Sequence, residues 1–165
     1  MSVSEELMPN QVVLGERNYE AATALIIAGA TRELKIFDPD LSRGGYQSLQ
    51  LHDLLESFLA KDRLNRVIII LHESHFFIAR CSRLTALMKR YTHAMTVYLT
   101  DERAQVAQDA FVLADSGDYL HRFHVDHARF KYVHQDEVAA KSLHERFDQL
   151  LDVTSSTLSI TTTGL

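Results

Sequence analysis

The chain of 165 residues holds a single cysteine, Cys81. One thiol forms no intrachain disulfide and assembles no cysteine-based zinc site. That usage suits a reducing compartment, and a cytoplasmic location is expected. Cys81 falls in register with apolar helical positions and reads as a packed side chain, because nothing near it in sequence would lower its pKa. Long hydrophobic runs are also missing. None approaches the roughly 20 residues that cross a bilayer, so no membrane partner is expected. The opening MSVSEELMPNQ is polar and acidic, which argues against a signal peptide. Positive charge is in deficit, with 17 Lys and Arg against 22 Asp and Glu and a formal net charge of −5. A general nucleic-acid binder usually shows a basic face, so nucleic acid is not expected as a partner. Arg80, Arg83, Lys89 and Arg90 read as a solvated helix face.

Repeats, low-complexity runs and internal linkers are absent too, which leaves one domain of ordinary size. The composition, 46% apolar and 24% charged, suffices for a real core. Residues 1–17, polar and interrupted by Pro9, read as a flexible N-terminal arm. Residues 18–152 read as a single α/β domain. Residues 153–165, rich in Ser and Thr, form a tail that is an added edge strand, a docked segment or disordered; its β-branched content favours extended structure.

Within the domain the pattern alternates. Asn18 reads as the N-cap of a helix over Tyr19–Ala30. A strand over Glu33–Phe37 stops at Asp38-Pro39-Asp40, a turn whose Asp side chains bond backbone amides. A helix lies within Leu51–Lys61, with Leu51, Leu54, Leu55, Phe58 and Leu59 on one stripe. Val67–Leu71, VIIIL, reads as a central strand buried on both faces. One helix over Phe76–Tyr91, capped by Ser74, leads to a strand over Ala94–Leu99. Three extended segments with short joins follow: Ala107–Ala114, Asp118–Phe123 and Arg129–His134. A helix over Gln135–Asp152 closes the domain. The expected fold is a three-layer α/β domain around a mixed, mostly parallel sheet.

The densest chemistry lies in Ala107–Arg129, AQDAFVLADSGDYLHRFHVDHAR. An apolar strand ends at Asp115, and a Gly-containing turn follows. This element order, with that Asp, resembles the phospholipase D-like fold over about residues 19–152. The resemblance implies a motif His-x-Lys-x4-Asp, whose His attacks phosphorus and whose Lys grips phosphate oxygens. Counting back from Asp115 puts Ala110 in the Lys slot and Gln108 in the His slot. Gln108 has no titratable nitrogen to form a phosphoenzyme, and Ala110 supplies no cation for a developing phosphorane. None of the five lysines lies in a His-x-Lys pair. The catalytic site is therefore degenerate. Single-motif proteins of the resembled fold pair, so a homodimer is implied. The phrases IFDPDLS and RFHVDH also resemble an uncharacterised bacterial domain family, sometimes attached to an acetyltransferase domain.

The same hairpin offers two binding hypotheses. Alternation along a strand puts His121 and Phe123 on one face, Arg122 and His124 on the other. Arg122, His124 and Arg129 form a candidate anion pocket for a phosphate-containing ligand. The rival reading pairs Arg122 or Arg129 with Asp115 or Asp126. His124, Asp126 and His127 are a candidate metal set, though their spacing fits no recognised ligand pattern. His72-Glu73-Ser74-His75 ends the VIIIL strand, where α/β ligand sites form, but lacks the helical zinc spacing. No cofactor is expected. The expected function is a non-catalytic binding or regulatory module, with a protein partner or a phosphate-containing ligand. One alternative is an enzyme acting on phosphorylated or acyl substrates through Asp115, Arg122 and His124. A second is a metal-binding domain.

Overall fold

The computed structural model describes residues 7–159. In chain order these form β1 (Val12–Leu14), α1 (Glu16–Gly29), β2 (Glu33–Asp38), α2 (Leu49–Lys61), β3 (Arg66–Leu71), α3 (His75–Arg80), α4 (Ser82–Arg90), β4 (Met95–Thr100), a short 3-10 turn, β5 (Ala110–Ala114), β6 (Asp118–His124), β7 (His127–Val133), α5 (Glu137–Leu151) and β8 (Thr154–Thr157). Among the described residues no helix is long and apolar enough to cross a membrane.

All eight strands join one mixed sheet in the order β1-β7-β6-β5-β2-β3-β4-β8. The βαβ units make β2, β3 and β4 parallel, as the alternating pattern requires. The sheet is nevertheless mostly antiparallel, against expectation. Of its seven strand pairings only those two are parallel, and the other five run antiparallel. The short joins of β5, β6 and β7 allow only hairpins, and β5 enters beside β2 in the opposite sense. Both edges are also antiparallel additions. Val12–Leu14, expected within the arm, pairs with β7, and Thr154–Thr157, expected within the tail, pairs with β4. Residues 1–6 and 160–165 lie outside the described residues.

Two apolar layers sandwich the sheet. On one face Leu34, Ile36, Val67, Ile69, Leu71, Val97, Val112, Leu120 and Phe130 meet α1, α2, α3 and α4. On the other, Phe37, Ile70, Phe111, Leu113, Tyr119 and Val133 meet α5 through Ala140, Leu143, Phe147 and Leu150. Several local boundaries differ from those read in the sequence. Helix α1 begins at Glu16, so Asn18 lies inside it and its side-chain amide donates back to the Leu14 carbonyl at 3.0 Å. The expected helix over Phe76–Tyr91 breaks at Cys81, whose non-helical backbone (φ −106°, ψ 50°) separates α3 from α4. Ser74 precedes α3, but its side chain caps no amide. Ser48 does cap α2, accepting from the Leu51 amide at 3.2 Å.

Two polar devices hold the layers in register. Asp115 sits at a positive φ of 55° just after β5. Its carboxylate accepts from the Thr31 amide and hydroxyl (2.9 and 3.0 Å), the Arg32 amide (2.7 Å) and the Glu33 amide (3.0 Å). It thereby ties the α1–β2 loop to the end of β5. Burial would raise its pKa, but the hydrogen bonds from Glu33, Thr31 and Arg32 outweigh that and hold it below the ordinary value of 3.8. The second device is Arg122 of β6, which is 0% exposed. Its guanidinium makes a bidentate pair with Glu16 at the start of α1, both contacts 2.7 Å. It also donates to the Val125 carbonyl at 2.8 Å and the His124 carbonyl at 3.3 Å, and lies 4.8 Å over the Tyr19 ring.

Asp115→Asn keeps a residue that tolerates positive φ and removes the charge, so urea unfolding will show a loss of about 1–3 kcal/mol. Because the folded-state pKa of Asp115 is lowered, its contribution is complete above the ordinary carboxylate range and is lost as pH falls through the folded value. As pH falls below the ordinary carboxylate range the wild-type protein will therefore lose stability more steeply than the Asn variant. Glu16→Ala leaves the Arg122 charge buried without its carboxylate. The expected cost is about 1–3 kcal/mol, less than for a fully enclosed pair because the Glu16 side chain is half-exposed and water can replace it. Adding Arg122→Met to that variant will recover part of the loss in the same melt.

Candidate functional site

Strand direction decides which residues share an end of the sheet. Antiparallel pairing of Phe37 with Phe111 sets the start of β5 beside the end of β2. Gln108, Asp109 and Ala110 therefore join Asp38 and His72 at the carboxyl end of the parallel strands, where ligands of α/β folds bind. Asp115 goes to the opposite end, next to the start of β2, where Leu34 pairs with Ala114.

The three positions read as a degenerate motif, Gln108, Ala110 and Asp115, are thus divided between structural tasks. Ala110 is buried in β5, and the Gln108 side-chain amide donates to the Gln105 carbonyl at 2.9 Å. The Asp115 carboxylate is occupied by the loop amides described above. The candidate anion pocket is not assembled. Arg122 points into the α1 face and pairs with Glu16, a partner that neither Asp115 nor Asp126 replaces. His124 is exposed and its Nδ1 accepts from the Asp126 amide at 3.1 Å. Arg129 lies 5.4 Å over the Phe123 ring, on the other side of the sheet from Arg122. Nor does the metal set converge. His124 Nδ1 is 3.8 Å from an Asp126 oxygen, and the His124 and His127 rings are 5.5 Å apart. Among the described residues the three ligand groups that do gather are His52, Asp53 and Glu56 on α2, where Asp53 is exposed, His52 already contacts Asp53, and Glu56 pairs with Arg90 at 2.5 Å.

The two loops read as turns and caps behave mainly as such. Asp38 is buried, accepts from the amides of Asp40 (3.0 Å) and Leu41 (2.7 Å), and burial pushes its pKa up to about 6. The loop then passes Gly44 at φ 94°, where an added Cβ would fall 3.0 Å from the Tyr46 ring and 3.3 Å from Thr23 and Tyr19. His72 is held between two partners. Its Nε2 donates to the Ala107 carbonyl at 2.7 Å, which leaves Nδ1 to accept from the Thr100 hydroxyl at 2.8 Å.

One cluster at this end escaped the sequence reading. Asp109 receives a bidentate pair from Arg146 of α5, with Nη2 at 2.5 Å from Oδ1 and Nη1 on Oδ2, and Oδ2 also meets His121 Nε2 at 2.7 Å. Burial works to raise the Asp109 pKa, but Arg146 and His121 outweigh it and hold the carboxyl well below the usual range. The ionised carboxylate can only accept, so His121 donates to it from Nε2. Arg146 also lies 5.5 Å from the Phe111 ring centroid and 5.9 Å from that of Phe37, which docks α5 onto the sheet. The available signal was Arg146 sitting beside Phe147 on the inward stripe of the last helix, together with His121 on the same sheet face as Phe123.

The comparisons with known proteins fit this geometry. The family model for a domain of unknown function, DUF7931, matches residues 15–160. No curated protein matches the chain. Among solved structures, TrmBL2 is an archaeal chromatin protein whose structure shows a novel mode of DNA binding; it superposes with a TM-score of 0.64 at 14% identity, over 91% of this chain and 55% of that one. The present chain thus spans about half the length of TrmBL2. NucT from Helicobacter pylori superposes with a TM-score of 0.61 at 13% identity, over 88% of this chain and 97% of that one. At such identities the likeness is one of fold, and the phospholipase D-like NucT is compatible with the fold that the motif order suggested. The TrmBL2 match corrects one expectation: a net charge of −5 does not exclude nucleic acid, because a DNA-binding chromatin protein carries the same fold. By the match over residues 15–160, this chain belongs to the DUF7931 family of domains of unknown function.

Proposed function

We propose that the domain is a non-catalytic, phospholipase D-like binding or regulatory module. The observation that carries this reading is what occupies the motif positions. A buried Ala110 stands where the phosphate-gripping cation belongs, and Gln108 is bonded to its own loop. Asp115 spends its acceptor capacity on three backbone amides and a hydroxyl at the far end of the sheet. Chemistry at phosphorus needs a nucleophile and a cation converging on one point, and these positions offer neither. The likeness to TrmBL2 is compatible with a binding role for the fold. The separation of Asp115, at the opposite end of the sheet, from the buried Arg122 favours this reading over an enzyme built on Asp115, Arg122 and His124.

A phosphodiesterase assay on bis(p-nitrophenyl) phosphate tests the reading. Wild type and His121→Ala are each expected to release nitrophenolate at the rate of buffer alone, from mildly acidic to mildly alkaline pH. Turnover that scales with wild-type protein and vanishes in His121→Ala would contradict it, because it would make the His121–Asp109 pair a working base or nucleophile.

A further inference from the structure

The two sheet faces are covered unequally. On one, α1 packs across β5, β6 and β7. On the other, α5 packs against β4, β5 and β6. Beyond α5 the strand register lays out two adjacent rows of side chains. One row runs from His121 to Lys131 to Val12, the next from Phe123 past Arg129 to Leu14. Val12 is 48% exposed, Leu14 65% and Phe123 36%, and Arg129 is exposed. The register shifts between Arg122 and His124, where the pairing passes from Phe130 to His127, so β7 carries one extra residue at Ala128–Arg129 opposite Phe123.

The chemistry of this face is specific. Its six residues comprise two cations, one imidazole, one aromatic ring and two aliphatic side chains, and none is a carboxylate. The bordering carboxylate, Asp109, is already neutralised by Arg146 and His121. A chain with an excess of acidic residues has therefore left one flat face with cations around an exposed ring. A second copy of the chain fits it less well, because a two-fold contact over so small a face would bring the Arg129 and Lys131 charges of both copies into one seam with no carboxylate among its six residues. A polyanion with planar groups does fit: the cations follow its backbone while the ring stacks on an unpaired base. Bases inside a duplex are not available to Phe123, which favours a single strand.

We infer that the open face of β1, β7 and the end of β6 binds single-stranded nucleic acid, with Phe123 as the stacking platform and Arg129 and Lys131 as phosphate contacts. The inference rests on the reading of the domain as a binding module and names its ligand class. The guanidinium now over Phe123 moves aside or sandwiches the incoming base, as arginine does on aromatic faces.

Fluorescence anisotropy of the full chain with a labelled thymidine oligonucleotide of about 15 nucleotides, at about 50 mM salt, tests it. Saturable binding is expected. Phe123→Ala should weaken it about fivefold or more, the range for loss of one stacked base. Arg129→Gln should weaken it and reduce the salt slope by about 0.7. Arg83→Glu, in α4 on the far side of the sheet, should leave binding unchanged. Both test side chains are exposed, and a thermal melt of each variant checks that it is folded. Four results would overturn the inference: no binding at low salt, binding indifferent to Phe123 and Arg129, equal affinity for a duplex of the same length, or a dimer that Phe123→Ala dissociates. Cleavage of the bound oligonucleotide would instead overturn the non-catalytic reading beneath it.

Discussion

A buried guanidinium organises this fold. Arg122 is fully enclosed, and an enclosed charge must be met by acceptors from several directions. Glu16 supplies the carboxylate, which places the start of α1 over β6. The carbonyls of His124 and Val125 supply the rest, so the chain after Arg122 must curl back over it. That curl coincides with the register shift in the β6–β7 pairing, and the alternation of β6 sets Phe123 on the opposite, open face. One inward side chain therefore determines both the α1 contact and the surface on the other side of the sheet.

Strand β5 is given over to packing and to holding a loop. Because β5 runs antiparallel to β2, its beginning lies at the ligand end and its end at the opposite pole. Ala110 has become core, and Asp115 clamps a loop through four hydrogen bonds. What remains polar at the ligand end is internally paired: Asp109 with Arg146 and His121, His72 with Thr100 and Ala107, Asp38 with its own turn. Groups satisfied in this way rigidify a structure, and they leave few strong contacts for a ligand at that end. Exposed Val12, Leu14, Phe123 and Arg129 lie instead together on the uncovered rows of β1, β6 and β7.

Local patterns carried much of the fold. The β-branched run VIIIL announced the central strand, and the apolar stripe of Leu51, Leu55, Phe58 and Leu59 announced α2, because both signals come from neighbouring residues. The period-two alternation of β6 correctly separated His121 and Phe123 from Arg122 and His124. It did not say which face was interior, and Arg122 was read as part of an anion pocket or as the partner of a nearby aspartate. Its true partner, Glu16, is 106 residues away, a separation that no local pattern bridges. The same holds for Arg146, which is 37 residues from Asp109. The sheet was read as mostly parallel because βαβ units dominate the first hundred residues, while the edge strands β1 and β8 are short segments with weak periodicity. Net charge misled for a related reason: a total says nothing about how charge is distributed between two faces of a sheet.

The central proposal is that ligand contact falls on the open sheet face and not at the start of β5. Amide chemical-shift mapping of the labelled protein during titration with single-stranded oligonucleotide reads this directly. The account predicts perturbations concentrated at Val12, Leu14, Phe123, Arg129 and Lys131, with the Gln108–Ala110 segment and the Asp115 clamp undisturbed. Perturbations centred on Gln108, Asp109 and Ala110, with the open face unchanged, would contradict it.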